Sequence, residues 1–256
     1  RPRARAADPA PQVASADAPA PARASAPAPP ARTSAPAPTV RPKDLFAPDL
    51  EEAGSVATAL RSPEGDTLER VAEEVRACTQ CSLCETRTKA VPGTGTGSAG
   101  IVFVGEAPGA EEDRRGEPFV GRAGELLTKI LEAMDERKLI PGVPINRKTV
   151  YIANVLKCRP PENRNPLPHE IDTCSPYLRR QLALLKPRVI CCLGKFAAEL
   201  LVGAKGTIGS MRGQVYRYGD SKLIVTYHPA ACLRNPNYKR PVWEDMQLLA
   251  REYATP

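Results

Sequence analysis

Apolar residues along this chain keep two different rhythms. Ile101–Val104, Val150–Ala153, Arg188–Leu193 and Lys222–Thr226 are short, nearly continuous apolar runs rich in β-branched residues. Runs of that length and make-up predict strands rather than helices. Gln214–Tyr218 reads as a further strand. Between the runs the spacing changes to three and four. Leu68, Val71 and Val75 share one face of a helix that Asp66-Thr67 caps and that runs to Ala77. Further helices are predicted over Ala123–Lys138, His169–Leu185, Gly194–Leu201 and Pro241–Tyr253. Strands alternating with helices in this way predict an α/β fold. It is a single domain over residues 66–256, with a mostly parallel central sheet flanked by helices on both faces. About 190 residues are enough chain for one such core.

The N-terminal stretch breaks both rhythms. Residues 1–43 contain eleven prolines and no aromatic residue, and cannot bury enough apolar surface to offset their chain entropy. They predict a disordered, partly polyproline-II tail. Residues 44–65 continue it as a linker, with a short helix expected near Leu50–Leu60. The tail also changes how the charge is read. Seven Arg and Lys against two Asp put +5 of the formal +7 into residues 1–43. Overall basicity is therefore no argument that the domain binds nucleic acid, and local loops must carry that case. No apolar run approaches the roughly 18 residues of a membrane span, and no secretory h-region is present. A soluble, cytoplasmic protein with no membrane partner is expected.

Eight cysteines remain to be placed. Without an export signal a metal or cluster site is expected in preference to a disulfide framework. Cys78 and Cys81 form a CxxC in the turn after the first helix. Cys158 follows the second strand in NVLKCRPP, and Cys174 lies in the helix beyond. Two close thiols and two distant ones make a four-thiolate site plausible, for zinc or for an iron–sulfur cluster. Spacing alone leaves those two nearly even. Cys84 extends the run to CxxCxxC and could displace one of the four; it is read as a non-ligand beside the site. Cys191 and Cys192 fall inside an apolar strand and read as small buried hydrophobes. Cys232 lies in a loop and is left open.

Three loops leave the C-terminal ends of strands, where open α/β sheets build ligand sites. The first, Gly105–Gly124, reads GEAPGAEEDRRGEPFVGRAG. The second begins at Asn154. The third, YHPAACLRNP, sets His228 just past a strand. An amide offers both a donor and an acceptor to a base edge. An imidazole can hydrogen-bond a developing oxyanion, and a loop aromatic such as Phe119 can stack on a base. Each residue also has a plainer role. Asn154 can cap a turn, Phe119 can plug the core, His228 can be structural, and Glu106, Glu111, Glu112 and Asp113 can be a solvated run or helix caps. Their shared placement at successive strand tips favours one joint site.

Those segments, GEAPG with AEED and PFVGRAG, then NVLKCRPP, then HPAACLR, resemble the family 4 uracil-DNA glycosylases, the iron–sulfur branch of that superfamily. The resemblance runs from about Val71 to the last helix. It implies a [4Fe–4S] cluster held by Cys78, Cys81, Cys158 and Cys174. It implies that Phe119 stacks on a flipped uracil, that Asn154 bonds the pyrimidine's polar edge, that His228 bonds uracil O2, and that the backbone of Gly105–Ala107 lines the pocket. The activity implied is hydrolysis of the N-glycosidic bond of uracil in DNA, leaving an abasic site for base-excision repair. The enzyme would be a monomer and monofunctional, working in a bacterial cytoplasm at the nucleoid. One departure stands out. Other branches carry an Asp, two residues after the first Gly, that orients the attacking water, and Ala107 stands there. Glu106 is the candidate for that task and Glu112 the second. Leu233 or Cys232 would wedge into the vacated stack. Arg234 would meet phosphate, with Arg159, Arg164 and Arg212 as further candidates. Covalent capture of DNA by a histidine is not expected, because neither His169 nor His228 lies in Leu201–Gly213. The reading from another class is a non-catalytic iron–sulfur or zinc nucleic-acid-binding protein, which would keep the cysteines and lose the pocket.

Overall fold

The computed structural model describes residues 64–255. The tail, and the helix expected near Leu50–Leu60, lie outside the described residues. Among those described, five strands form one sheet: β1 Ile101–Gly105, β2 Tyr151–Asn154, β3 Val189–Leu193, β4 Val215–Tyr218 and β5 Ser221–Thr226. Their order is β2-β1-β3-β5-β4. β1 pairs in parallel with β2 and β3, and β3 with β5; only β4 runs antiparallel, on the edge beside β5.

The helices cover both faces, as the continuous apolar runs require. They are α1 Leu68–Ala77, α2 Leu83–Thr86, α3 Ala110–Arg115, α4 Arg122–Glu136, α5 Pro168–Leu185, α6 Lys195–Val202, α7 Ile208–Met211, α8 Pro229–Arg234 and α9 Lys239–Ala254. Val102, Val104, Ile190 and Val225 point to one side, into a core shared with Val71 and Val75 of α1 and Leu178 and Leu182 of α5. Ile101, Phe103 and Ile224 point to the other, against Leu127 and Leu131 of α4 and Leu249 of α9. Side chains alternate along a strand, so a sheet buried on both faces needs apolar residues at every position. Cys191 and Cys192 show the rule: both are fully buried, one in each core.

α1 is held in place at its start and along its length, and its C-cap is Cys78. Thr67 Oγ1 accepts the N–H of Arg70 at 3.1 Å as its N-cap. Arg180 of α5 donates to both oxygens of Asp66, at 2.8 and 2.7 Å, and also grips Glu74. These ion pairs pin α1 on α5 just before the Cys78–Cys84 turn.

Most boundaries fall within two residues of the expected ones, with informative exceptions. β1 includes Gly105 and β2 includes Asn154, which pair with each other, so Asn154 closes the strand instead of opening the loop. α3 and α8 were expected as loop. Both are too short to show a helical period. α3 is charged nearly all round, and α8 starts with Pro229 in its first turn, where a missing N–H costs nothing. His228-Pro229 is thus a helix start.

Candidate active site and thiol cavity

Three strand tips meet at a pocket of about 390 Å³, whose lining includes Glu106, Phe119, Asn154, Arg164, His228 and Arg234. Gly105 is the hinge of the arrangement. A Cβ on it would lie 2.4 Å from Asn154 Oδ1 and 2.6 Å from Phe119 Cζ, so the bare glycine lets amide and ring close in from either side. The Phe119 ring centroid stands 5.4 Å from that of His228, tilted by 31°. Phe119 is only 5% exposed and belongs to the second core as well as to the pocket wall. Asn154 is 2% exposed, and its Oδ1 has no hydrogen-bond partner among the described residues. An orphaned buried acceptor costs about 1–3 kcal/mol. A ligand N–H delivered into the pocket removes that cost.

His228 has a defined protonation state. It caps α8, and its Nδ1 accepts the N–H of Ala230 at 3.1 Å. In the neutral ring the proton then sits on Nε2, leaving one donor. Burial, helped by the charge of Arg234, lowers its pKa to about 4, so the neutral form prevails near pH 7. Glu106 is half-buried, and burial raises its carboxyl pKa above the ordinary value. Its main-chain carbonyl accepts the N–H of Leu156 at 3.0 Å, and its carboxyl has no hydrogen-bond partner among the described residues. Ala107 packs against the first core.

Glu112 is differently employed than expected. Its Oε2 accepts the N–H of Gly109 at 3.1 Å, and its Oε1 accepts those of Val120 and Gly121 at 2.9 and 3.0 Å. A carboxylate taken up by three backbone donors closes its loop and is not available to activate water.

At the end of α8, Leu233 is 38% exposed. Arg234, exposed beside it, has no ion pair among the described residues and reaches the pocket rim. Cys232 is 1% exposed and cannot wedge into a base stack. Arg212 is not free to meet phosphate either. Its Nε and Nη2 donate to the buried Asp245 at 3.0 and 2.9 Å, which commits it to the fold. Arg164 lines the pocket with its charge matched by Glu170, through bonds of 2.9 and 2.6 Å. Arg159 donates to Asn163 Oδ1 at 2.8 Å.

A second, smaller cavity gathers Cys78, Cys81, Cys84, Cys158 and Cys174. Cys158 Sγ accepts from Arg87 Nη1 at 3.1 Å, and Cys174 Sγ from the backbone N–H of Lys157 at 3.2 Å. Burial pushes the Cys174 thiol up to about 12, with Cys158 and Cys81 adding to it; burial also raises Cys158, with Cys81 and Cys78 adding. Cys158 thus lies within electrostatic reach of Cys78 and Cys81, and Cys174 within reach of Cys158 and Cys81. No three His, Cys, Asp or Glu among the described residues form a group that holds a single metal ion.

Lys157 joins the two sites, and sequence patterning offered no signal for it. Its side chain is buried, and its ammonium donates to Asn154 O at 2.9 Å and to Gln181 Oε1 at 2.8 Å. The same residue's N–H meets Cys174.

Residues 92–247 match the family model described as the uracil DNA glycosylase superfamily. The chain belongs to that superfamily. A type-4 uracil-DNA glycosylase of Archaeoglobus fulgidus is 44% identical over 190 residues, covering 71% of this chain and 91% of that protein. One of Thermotoga maritima is 44% identical over 186 residues, covering 71% and 92%. A type-5 uracil-DNA glycosylase of Thermus thermophilus is more distant, 34% identical over 149 residues, with 54% and 68% covered. At that level of identity and coverage this member of the uracil-DNA glycosylase superfamily sits in the type-4 branch.

Proposed function

We propose that this chain is a monofunctional uracil-DNA glycosylase, and the observation that carries the reading is the orphaned Asn154 amide oxygen facing Phe119 and His228 across one pocket. The base must leave its stack to enter, at a cost of a few kcal/mol that is least for a mismatched base. Once inside, its face lies against Phe119. Its N3–H satisfies Asn154 Oδ1, and its O2 meets Nε2–H of His228.

Breaking the N-glycosidic bond sends positive charge to the sugar and negative charge to the departing uracil. A neutral imidazole already fixed by Ala230 strengthens its bond to O2 as that charge grows, which stabilises the transition state over the bound substrate. One such donor is worth about 10²–10³-fold in rate. Glu106, its carboxyl lifted by burial, holds the water that attacks C1′ in the place where other branches use the residue at Ala107. Leu233 fills the emptied stack and Arg234 meets a phosphate.

The thiol cavity fits a [4Fe–4S] cluster on Cys78, Cys81, Cys158 and Cys174, with Cys84 beside it. The donor set is all sulfur, and Arg87 and the Lys157 N–H give it the charge and hydrogen bonds that thiolates on iron need. When bound, the cluster supplies a four-point tether joining α1, α5 and the loop after β2. The protein acts on uracil-containing DNA as a monomer in the cytoplasm, at the nucleoid of a bacterium. A single-uracil oligonucleotide incubated with the purified holo-protein should yield free uracil and an alkali-labile abasic site, with no protein–DNA adduct. Iron and sulfide with broad visible absorbance should accompany it. A folded, iron-loaded protein that binds the oligonucleotide and releases nothing would overturn the enzymatic reading.

A further inference from the structure

The peptide joining Phe119 to Val120 is gripped at both ends by opposite charges. Its carbonyl, Phe119 O, accepts from Arg147 Nη1 at 3.0 Å, and its N–H, on Val120, donates to Glu112 Oε1 at 2.9 Å. The grip extends one peptide to either side. Arg147 Nη2 donates to Pro118 O at 2.7 Å, and Gly121 N–H donates to the same Glu112 oxygen at 3.0 Å. Phe119 itself has φ of 54°, in the left-handed region that a bulky non-glycine residue avoids. Gly124 leaves room for this turn, since a Cβ there would lie 1.7 Å from Phe119 O. A conformation of this kind persists only where its surroundings over-determine it, and such places cluster at binding sites.

We propose that Arg147, with Glu112 as its counterpart, is a positioning residue that holds Phe119 in its strained conformation so that the ring meets the flipped base. Arg147 lies outside the pocket lining, and Glu112, which is part of it, has both carboxylate oxygens taken by backbone N–H groups. Arg147 comes from the loop before β2 and Glu112 from α3, so two elements outside the 116–121 turn set the ring's angle. A guanidinium suits the task because its planar fork holds two successive carbonyls through two nitrogens of fixed geometry, where a lysine offers a single point charge on a flexible stem. The inference rests on the reading of the pocket given above.

A double-mutant cycle tests it. Single-turnover uracil release and inhibition by free uracil are measured for wild type, Arg147→Met, Phe119→Ala and the double variant. Arg147→Met should slow release by about 10–100-fold, as a misplaced group near the chemistry does, and raise the inhibition constant of uracil by about tenfold. In the Phe119→Ala background the same substitution should change the rate by less than about twofold, because the ring it aims is gone. Arg147→Lys should fall between, and carries the cycle should the methionine variant not fold. Equal slowing in both backgrounds, or a single Arg147 variant within about twofold of wild type, overturns the clamp. If Phe119→Ala is as fast as wild type, the pocket reading itself fails, and the clamp with it.

Discussion

Gly105→Ala isolates the pocket with a single methyl group. Gly105 is the last residue of β1, and it is not among the glycines with positive φ, so its backbone accepts alanine. The new Cβ would lie 2.4 Å from Asn154 Oδ1, 2.6 Å from Phe119 Cζ and 2.9 Å from Phe119 Cε2. To restore an ordinary contact of 3.4 Å, the amide must retreat by about 1 Å and the ring by somewhat less. Neither can retreat freely. Asn154 is fixed through its strand pairing with Gly105, and Phe119 through its clamped peptide. A displacement of about 1 Å costs on the order of 10²-fold in rate, or about 2.7 kcal/mol of barrier. Overpacking costs roughly 1–3 kcal/mol of stability, within what a domain of this size tolerates. Single-turnover release of uracil, with enzyme in excess and well below the melting temperature, should therefore fall by about 10²-fold. The thiol cavity is not touched, so iron content and visible absorbance should stay at wild-type levels. A folded, iron-loaded Gly105→Ala variant within about threefold of wild type would refute the claim that this amide and this ring work from their present positions.

Three further outcomes are expected. His228 should titrate near pH 4 by NMR, against the ordinary 6.5. A histidine whose pKa is depressed by folding stabilises the native state above the unfolded pKa, and that contribution is lost as pH falls from about 6.5 toward about 4. Urea unfolding of wild type and His228→Gln should accordingly show a stability difference that shrinks between about pH 7.5 and about pH 5. Glu106 has a carboxyl pKa raised by burial, so the rate should fall on the acid side at a pH above the ordinary carboxylate value, and Glu106→Gln should be slow with no such limb. Lys157→Met removes the bonds to Asn154 O and Gln181 Oε1. Each of the two buried acceptors left unpaired costs about 1–3 kcal/mol, so differential scanning calorimetry should show melting lowered by at least about 4–8 °C, and uracil release should slow because the Asn154 main chain loses its anchor.

The sheet and the three tips were legible because their signals are local. An apolar run that stops at Gly105, at Asn154 or just short of His228 marks a strand end without knowledge of its neighbours. Spacing brought together the thiols that line the second cavity, but it could neither separate zinc from a cluster nor set Cys84 apart from the other four. What stayed hidden depends on contacts between distant segments. Arg147 lies 28 residues from the carbonyl it holds, and nothing in its own neighbourhood distinguishes it from a surface charge. Glu112 reads as one of a run of acids, and only its three backbone donors show that it closes a loop. Arg212 looked free for phosphate until Asp245, 33 residues on, was found beneath it. α3 and α8 escaped because caps, not hydrophobic period, define helices of six residues.

The most direct measurement is single-turnover uracil release by wild type, Asn154→Ala and His228→Ala, each loaded with iron and shown to be folded. Removing the amide or the imidazole should cost about 10²–10³-fold, the worth of a preorganised bond to a base that gains charge as it leaves. Near-wild-type release by both variants would contradict the assignment of this pocket as the place where the glycosidic bond breaks.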